Sequence, residues 1–161
     1  MDECIFCKIV QGELPTSVVY EDDLTLAFMD LGHVNPGHTI VALKPHIENI
    51  YGLDDALAAA VFRTATRLAQ ALKTAMQPAG MTILQANEAA GWQTVSHFHF
   101  HVLPRHTNDG AAITWPAKAP YGRSWSATLH KSERLLQAST VVYTLPAKLP
   151  PCGMHAAAAR T

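Results

Sequence analysis

The chain has few of the features that mark secreted, membrane or nucleic-acid-binding proteins. Its 161 residues include three cysteines, which are too few for a disulfide framework. No apolar run is long enough to span a bilayer, and the N-terminus lacks a cationic region followed by an apolar one, as in a secretory signal. The net charge is only -1, so bulk electrostatics do not indicate nucleic acid. We therefore expect a cytoplasmic protein with no nucleic-acid or membrane partner.

What the chain does contain is a stretch in which histidine alternates with large apolar residues, HFHFHVLPR at residues 97–105. A period of two is typical of a β-strand, so the apolar residues are predicted to face one side of a sheet and His97, His99 and His101 the other. Histidine titrates near neutral pH, which makes such a row chemically reactive. The alternative is a histidine-rich exposed face, against which the alternating phenylalanines argue.

The three histidines of this strand cannot all bind one metal ion. Residues two apart on a strand are separated by about 6.6 Å, which places the outer pair about 13 Å apart. Bonds from imidazole nitrogen to zinc are only about 2 Å long, so three histidines on a straight strand do not converge. At least one of them is free for other chemistry.

A second motif lies at the N-terminus, where Cys4 and Cys7 form a Cys-x-x-Cys pair. This spacing supplies half of many zinc sites, but it is also found in redox dithiols, and two inert thiols are a third interpretation. A redox pair normally follows a strand and opens a helix, and no strand is predicted before Cys4. Zinc is favoured, and the histidines are the obvious source of two further ligands.

The remaining pattern predicts a small α+β domain. A single domain suits this length, and short strands joined by short loops favour an antiparallel meander. One helix is predicted to start at Asp54 and Asp55 and to end at Gln77, with an apolar stripe that faces the core. The predicted elements are a helical turn at 8–12, strands at 17–21, 24–29 and 38–43, the long helix, a strand at 81–86 and the histidine strand.

The loop at residues 87–96 precedes the histidine strand and is rich in small and amide residues. Its backbone N–H groups, together with Asn87, Gln93 and Thr94, could cradle a phosphate beside the histidines. Taken alone, this loop is equally consistent with an ordinary connection.

The histidine strand resembles the His-φ-His-φ-His-φ-φ motif of the histidine triad family of nucleotide hydrolases and transferases, where φ is apolar. The resemblance covers roughly residues 2–106 and includes several correctly spaced motifs. They are CIFCKI at 4–9, YEDD at 20–23, FMD at 28–30, PGHT at 36–39 and KPH at 44–46. One departure is Trp92, which lies in a loop where the family more often has small residues.

The resemblance implies an α+β fold with a five-stranded antiparallel sheet, one long helix and a homodimer. It implies a catalytic domain at residues 1–120. Residues 121–161 depart from the family pattern, and we interpret them as an atypical, poorly ordered C-terminal tail.

The resemblance also implies an activity and a site. His99 would attack the α-phosphorus of a purine nucleotide, in substrates such as phosphoramidates, acyl adenylates or dinucleoside polyphosphates, and His101 would assist at the phosphate. Nucleotide-binding positions would be Ile5, Phe6, Ile9, Phe28 and Leu31 near the base, Asp30 at the ribose, and Asn87, Gln93 and Thr94 at the phosphate. A structural zinc would be held by Cys4, Cys7, His46 and His97.

Two rival functions come from other classes. One is a nucleotide-binding regulator with little turnover, and the other is a zinc-binding module in which the histidines are only ligands. The intact triad favours the enzyme, because a binding protein has no need of three aligned imidazoles.

Overall fold

The computed structural model describes residues 4–112 of the chain, and the predicted α+β class is confirmed there. A five-stranded antiparallel sheet carries one long helix. The elements are α1 (Ile5–Val10), β1 (Val18–Glu21), β2 (Thr25–Met29), β3 (Thr39–Leu43), α2 (Asp55–Met76), β4 (Gly80–Leu84) and β5 (His99–Arg105), with 3₁₀ turns at Ile50–Gly52 and Ala89–Gly91. The proposed domain boundary at residue 120 and the tail at 121–161 lie outside the described residues.

The histidine strand β5 lies inside the sheet rather than at its edge. The strand order is β1-β2-β3-β5-β4, and every neighbouring pair is antiparallel. The first three strands form the predicted meander, whereas β5 inserts between β3 and β4 after the chain has passed through α2. His101 pairs with Ile40 on one side and with Leu84 on the other. Hydrogen bonds from two neighbours therefore fix the strand that carries the reactive residues.

The two faces of the sheet are covered by different elements. On one face Phe98 and Val102 pack with Val61, Ala65 and Leu68 of α2 in a buried cluster. The opposite face carries a smaller cluster that includes α1, formed by Phe6, Leu26, Phe28, Ile40 and Ala42. Burying each large side chain contributes about 1.5–3 kcal/mol, so the α2 face supplies much of the stability. The smaller cluster lies on the histidine side.

The bounds of α2 match the sequence prediction. Asp54 is the N-cap, and its Oδ1 accepts a hydrogen bond from the backbone N–H of Leu57 at 2.8 Å. The helix ends at Gln77, which adopts a left-handed conformation. One buried residue is polar: the Thr64 hydroxyl lies 2.9 Å from that of Thr25 on β2, so the pair satisfies each other's hydrogen bonding across the interface.

Strands β1, β2 and β3 each begin one residue later than predicted, and three other elements differ by two residues or more. The first helix covers Ile5–Val10 instead of residues 8–12, because Phe6 and Cys7 are buried against the sheet and hold that turn in place. Strand β4 ends at Leu84, two residues earlier than predicted. His97 precedes β5 instead of belonging to it.

Candidate active site and metal centre on the histidine strand

The three histidines of the HFHFH stretch lie in three different surroundings. His97 contacts the N-terminal cysteines, His101 contacts a carboxylate and a fourth histidine, and His99 lies between them. The prediction that they cannot share one metal is consistent with this arrangement, because each outer histidine belongs to its own cluster.

The first cluster consists of Cys4, Cys7, His46 and His97, here called the thiol cluster. Its four ligand atoms lie within 4.8 Å of one another. Cys7 Sγ is 3.2 Å from His46 Nδ1 and 3.6 Å from His97 Nδ1, and Cys4 Sγ is 3.5 Å from His97 Nδ1. A tetrahedral zinc with bonds of about 2.3 Å to sulfur and about 2.0–2.1 Å to nitrogen requires S···N separations of roughly 3.6 Å. The side chains therefore converge to the spacing that zinc demands.

The protonation of His97 also suits a metal ligand. Its Nε2 lies 2.7 Å from the carbonyl oxygen of Leu43, so Nε2–H donates and Nδ1 carries a free lone pair. Burial lowers the pKa of His97, which keeps the ring neutral. Such a hydrogen bond from the second ring nitrogen is the usual way in which a protein orients a zinc-binding histidine. The residues present fit a four-coordinate structural zinc.

His99 is set up as a nucleophile. Its side chain is only 3% exposed, and Nδ1 lies 2.6 Å from the carbonyl oxygen of His97. Nδ1–H must donate in this bond, so Nε2 is unprotonated and available to attack. Burial lowers the pKa of His99 below its ordinary value of 6.5, and the hydrogen bond to His97 opposes that shift only in part. The ring is therefore neutral and nucleophilic at pH 7.

The second cluster consists of Asp30, His38 and His101, here called the carboxylate cluster. The backbone N–H of Val34 donates to His38 Nδ1 at 3.3 Å, so the proton of His38 resides on Nε2. That Nε2 lies 2.9 Å from His101 Nδ1 and 3.3 Å from Asp30 Oδ2. His101 Nδ1 accepts this bond, which leaves its Nε2–H as a donor. Burial, followed by the nearby His99 and His38, lowers the pKa of His101 to about 4.

The carboxylate cluster has the composition of a metal site but the wrong protonation for one. Its three ligand atoms lie within 4.8 Å of one another. Metal binding at His38 Nε2 would require the proton to move to Nδ1, where it would meet the Val34 N–H head on. The cluster is therefore better suited to holding protons in place than to binding a cation.

A pocket of about 140 Å³ opens beside the carboxylate cluster. Asp30 forms part of its wall, and Phe6 links it to the nucleophile, because the Phe6 and His99 ring centroids lie 5.0 Å apart, edge to face. The structure brings together here all six residues that the sequence predicts at the base and ribose, Ile5, Phe6, Ile9, Phe28, Asp30 and Leu31. Their role in nucleotide binding stays a prediction. Pro15, Thr16, Met29 and Ile40 also line the pocket and were missed. Ile40 could have been found from its pairing with Phe28, and Met29 from its place next to Phe28 in β2.

The side chains predicted to cradle a phosphate are arranged differently from what the sequence predicts. The Asn87 side chain accepts from the Ile50 N–H at 2.8 Å, and the Gln93 amide donates to the carbonyls of Glu48 and Val95. Both side chains therefore brace the loop, which leaves backbone N–H groups and the exposed Thr94 to face a phosphate. The phosphate-binding role of all three residues stays a prediction.

Two residues of this loop have backbone conformations that favour glycine. Trp92 has φ 72° and ψ 19°, and Glu88 has φ 60° and ψ 166°. Left-handed conformations of bulky residues cost of order 1–3 kcal/mol each and occur mainly where the surroundings fix them. Hydrogen bonds fix them here: Gln93 Oε1 accepts from the Glu88 N–H at 2.7 Å, and the Gln93 N–H donates to the Glu88 carbonyl at 3.0 Å. The sequence signal for this unusual conformation was that Trp92 lies in a loop where the family more often has small residues.

A comparison with family models identifies a HIT domain at residues 11–108. A relative from Bacillus subtilis, Protein hit, is 40% identical over 119 residues, which cover 73% of this chain and 82% of that protein. An adenosine 5'-monophosphoramidase of Schizosaccharomyces pombe is 33% identical over 115 residues, covering 71% of this chain and 84% of the relative. Within the part of the chain that the structure describes, no helix is both long and apolar enough to cross a membrane.

Among solved structures, a zinc-bound histidine triad family protein from Mycobacterium smegmatis superimposes with a TM-score of 0.66 at 28% identity. The match covers 85% of this chain and 97% of that one. The chain thus shares sequence along most of the length of its relatives, and with this protein it also shares the fold.

Proposed function

The chain belongs to the histidine triad (HIT) family, and on that premise we propose that it is a nucleotidyl hydrolase or transferase acting at the α-phosphate of adenosine-type nucleotides. The observation that carries the proposal is the state of His99. Its unprotonated Nε2 is held rigid by the bond to the His97 carbonyl, and its ring packs against Phe6 in the wall of the base pocket. A nucleotide whose base enters this pocket would place its phosphate near the histidines.

The route proposed is a double displacement. His99 Nε2 attacks the α-phosphorus, the bond to the leaving group breaks with its electron pair, and a nucleotidyl-histidine forms. Water then hydrolyses this intermediate, so that nucleotide–X and water give the nucleotide and H–X. Imidazole attacks in the first step and is a good leaving group in the second, so two easier steps replace one difficult displacement.

Charge that develops on the phosphate oxygens needs hydrogen-bond donors. His101 supplies one, because the bond from His38 leaves its Nε2–H free to donate. The backbone N–H groups of the loop at 87–96 and Thr94 are the proposed source of the others. Asn87 and Gln93 are proposed to support phosphate binding by holding this loop in place. Asp30 lines the pocket beside His38 and His101, which suits a carboxylate that accepts from ribose hydroxyls.

Zinc is proposed to bind the thiol cluster as a structural ion. Two thiolates and two imidazoles fill a tetrahedral site with no open position, so the metal would supply stability rather than a reactive water. It would join α1 to the segment that precedes β5. Reduced thiol ligands fit the cytoplasm, which is the proposed compartment.

A symmetric homodimer is the proposed assembly. Phe62 of α2, Tyr51 and Ile83 on the edge strand β4 are large, apolar and exposed in the described part of the chain. Closed two-fold pairing is the commonest way to cover such residues. Light scattering at micromolar concentration tests this, and a monomer with full activity would refute it.

A substrate panel tests the proposed activity. We expect turnover of adenosine phosphoramidate, an aminoacyl adenylate or diadenosine tetraphosphate, with kcat/KM ranking the leaving groups. Brief mixing with radiolabelled substrate followed by acid quench should trap the nucleotide on His99. Tight nucleotide binding without turnover of any of the three would instead identify a regulatory binding protein.

A further inference from the structure

We propose that Trp92 is a specificity residue that contacts an aromatic ring on the leaving group. The inference rests on the proposed nucleotidyl transfer and names the substrate class: nucleotides whose α-phosphate is joined to a group that carries a planar ring. Trp92 takes no part in bond making. It would stack on the portion of the substrate that departs as H–X.

The first argument is that the chain keeps a bulky residue where glycine suits the backbone better. Trp92 has φ 72°, whereas the preceding residue is Gly91. Strained conformations that persist are concentrated at sites of function. The indole is also 66% exposed, so it does not compensate for the strain by filling the core. Nothing in the packing of the described residues accounts for a tryptophan at this position.

The second argument is the side of the sheet on which Trp92 lies. Val95, three residues later, packs against the cluster that contains Phe6, and the Phe6 ring contacts His99. Three residues of chain span at most about 11 Å, so Trp92 lies within that distance of a residue packed on the face that carries His99. The base pocket occupies the α1 side of this face. We infer that the loop borders the site on the side where the leaving group departs.

The third argument is that hydrogen bonds hold the backbone of Trp92 in place. The Trp92 N–H donates to the Ala89 carbonyl at 3.1 Å, and the two bonds between Glu88 and Gln93 close the turn around it. The Gln93 side chain donates to the Glu48 carbonyl at 2.6 Å and ties the turn to the rest of the chain. A tryptophan carried on an ordered backbone has only two side-chain torsions left to fix when a ring stacks on it, so the entropy cost of binding is small.

The test compares three substrates that share AMP and differ in the leaving group. Adenosine phosphoramidate releases ammonia, the phenethylamine amide of AMP releases an aromatic amine, and diadenosine tetraphosphate releases a second nucleotide. We expect Trp92→Gly to lower kcat/KM about tenfold for at least one ring-bearing substrate. The value for adenosine phosphoramidate should stay within about threefold. The ring-bearing substrate with the larger loss identifies whether an aryl amine or a nucleobase is the better fit.

Two further variants separate contact from loop structure. Trp92→Phe retains a planar ring and should restore discrimination among the three substrates. Glu88→Gly relaxes the same loop without removing the indole, and it should leave the ratio of kcat/KM values unchanged. Equal losses on all three substrates in Trp92→Gly, or no loss on any, would overturn this inference while the proposed function stands. A wild-type protein inert toward all three would overturn both.

Discussion

The thiol cluster and the carboxylate cluster lie on either side of His99, yet their histidines do opposite things with their protons. In the thiol cluster the His97 Nε2–H donates a hydrogen bond to the Leu43 carbonyl, and the unprotonated Nδ1 faces two sulfurs. In the carboxylate cluster His101 Nδ1 accepts from His38, and its Nε2–H remains available to donate. Residues of one type, four positions apart in the chain, are thus set up for two tasks, metal binding and hydrogen-bond donation. The partner of the second ring nitrogen makes the difference.

The largest expected effect comes from removing the residue between the clusters. His99→Ala should lower kcat by at least about a thousandfold, because the covalent route disappears. Nucleotide affinity should change by less than roughly tenfold, since the pocket and both clusters remain. Steady-state kinetics and equilibrium dialysis measure the two quantities, and the exposed His106→Ala serves as the control. If the nucleotide is trapped on a residue other than His99, His99 is not the nucleophile, and the roles given to the two clusters around it are wrong.

An intermediate effect is expected on the thiol side alone. Cys7→Ser should reduce bound zinc from one per chain to below about a tenth, and stability should fall by about 2 kcal/mol, or roughly 5–10 °C in Tm. Turnover of the folded protein should remain substantial, because the carboxylate cluster and His99 do not depend on the metal for their protonation.

Cys152→Ser is the matched control for that variant, since it removes the third cysteine, which lies outside the described residues. Metal analysis and thermal unfolding of protein purified without chelator check both outcomes. If zinc removal abolishes turnover in a chain that stays folded, the metal takes part in the reaction.

The effect that is smallest at neutral pH concerns the carboxylate side, because it appears only in acid. The pKa of His101 is lowered to about 4 in the folded chain, whereas an unfolded histidine titrates near 6.5. The unfolded state therefore binds more protons between these values, so stability is constant above pH 6.5 and falls as the pH drops toward 4. His101 contributes on the order of 3 kcal/mol to this loss.

Urea unfolding at pH 7 and pH 5 measures this dependence of the free energy of unfolding on pH. His101→Gln should flatten it, although not completely, because burial also lowers the pKa of His38 and His99. Both proteins should carry Cys7→Ser, since protonation of zinc ligands adds a pH dependence of its own. An unchanged pH dependence in His101→Gln would mean that folding does not lower the pKa of this histidine.

Periodicity and spacing predict most of the fold, and the family resemblance predicts the membership of the site. The alternation at residues 97–105 predicts a strand with an apolar and a histidine face, and the stripe from Leu57 to Met76 predicts a core-facing helix. Family motifs predict which residues gather at the pocket. These features are local in sequence or repeat with a fixed period, and so they can be read without coordinates.

What the sequence does not predict are relations between distant residues. The Leu43 carbonyl that fixes His97 and the Val34 N–H that fixes His38 are backbone atoms, and any side chain at those positions would serve. The insertion of β5 between β3 and β4 follows from the path of the chain around α2. Asn87 and Gln93 were expected at a phosphate, but their amides also satisfy backbone groups of Ile50 and Glu48. Amide side chains are equally suited to either task.

The position of Phe6 would couple the two proposed binding events, of zinc and of nucleotide. Its ring contacts both His97 of the thiol cluster and the nucleophile, and it forms part of the pocket wall. Because one side chain belongs to both sites, whatever favours its ordered position at one site favours it at the other. Thermodynamic reciprocity then requires that if zinc raises the affinity for nucleotide by some factor, nucleotide raises the affinity for zinc by that same factor. A chain without zinc would then bind nucleotide more weakly. Bound nucleotide would in turn raise the affinity of that chain for zinc.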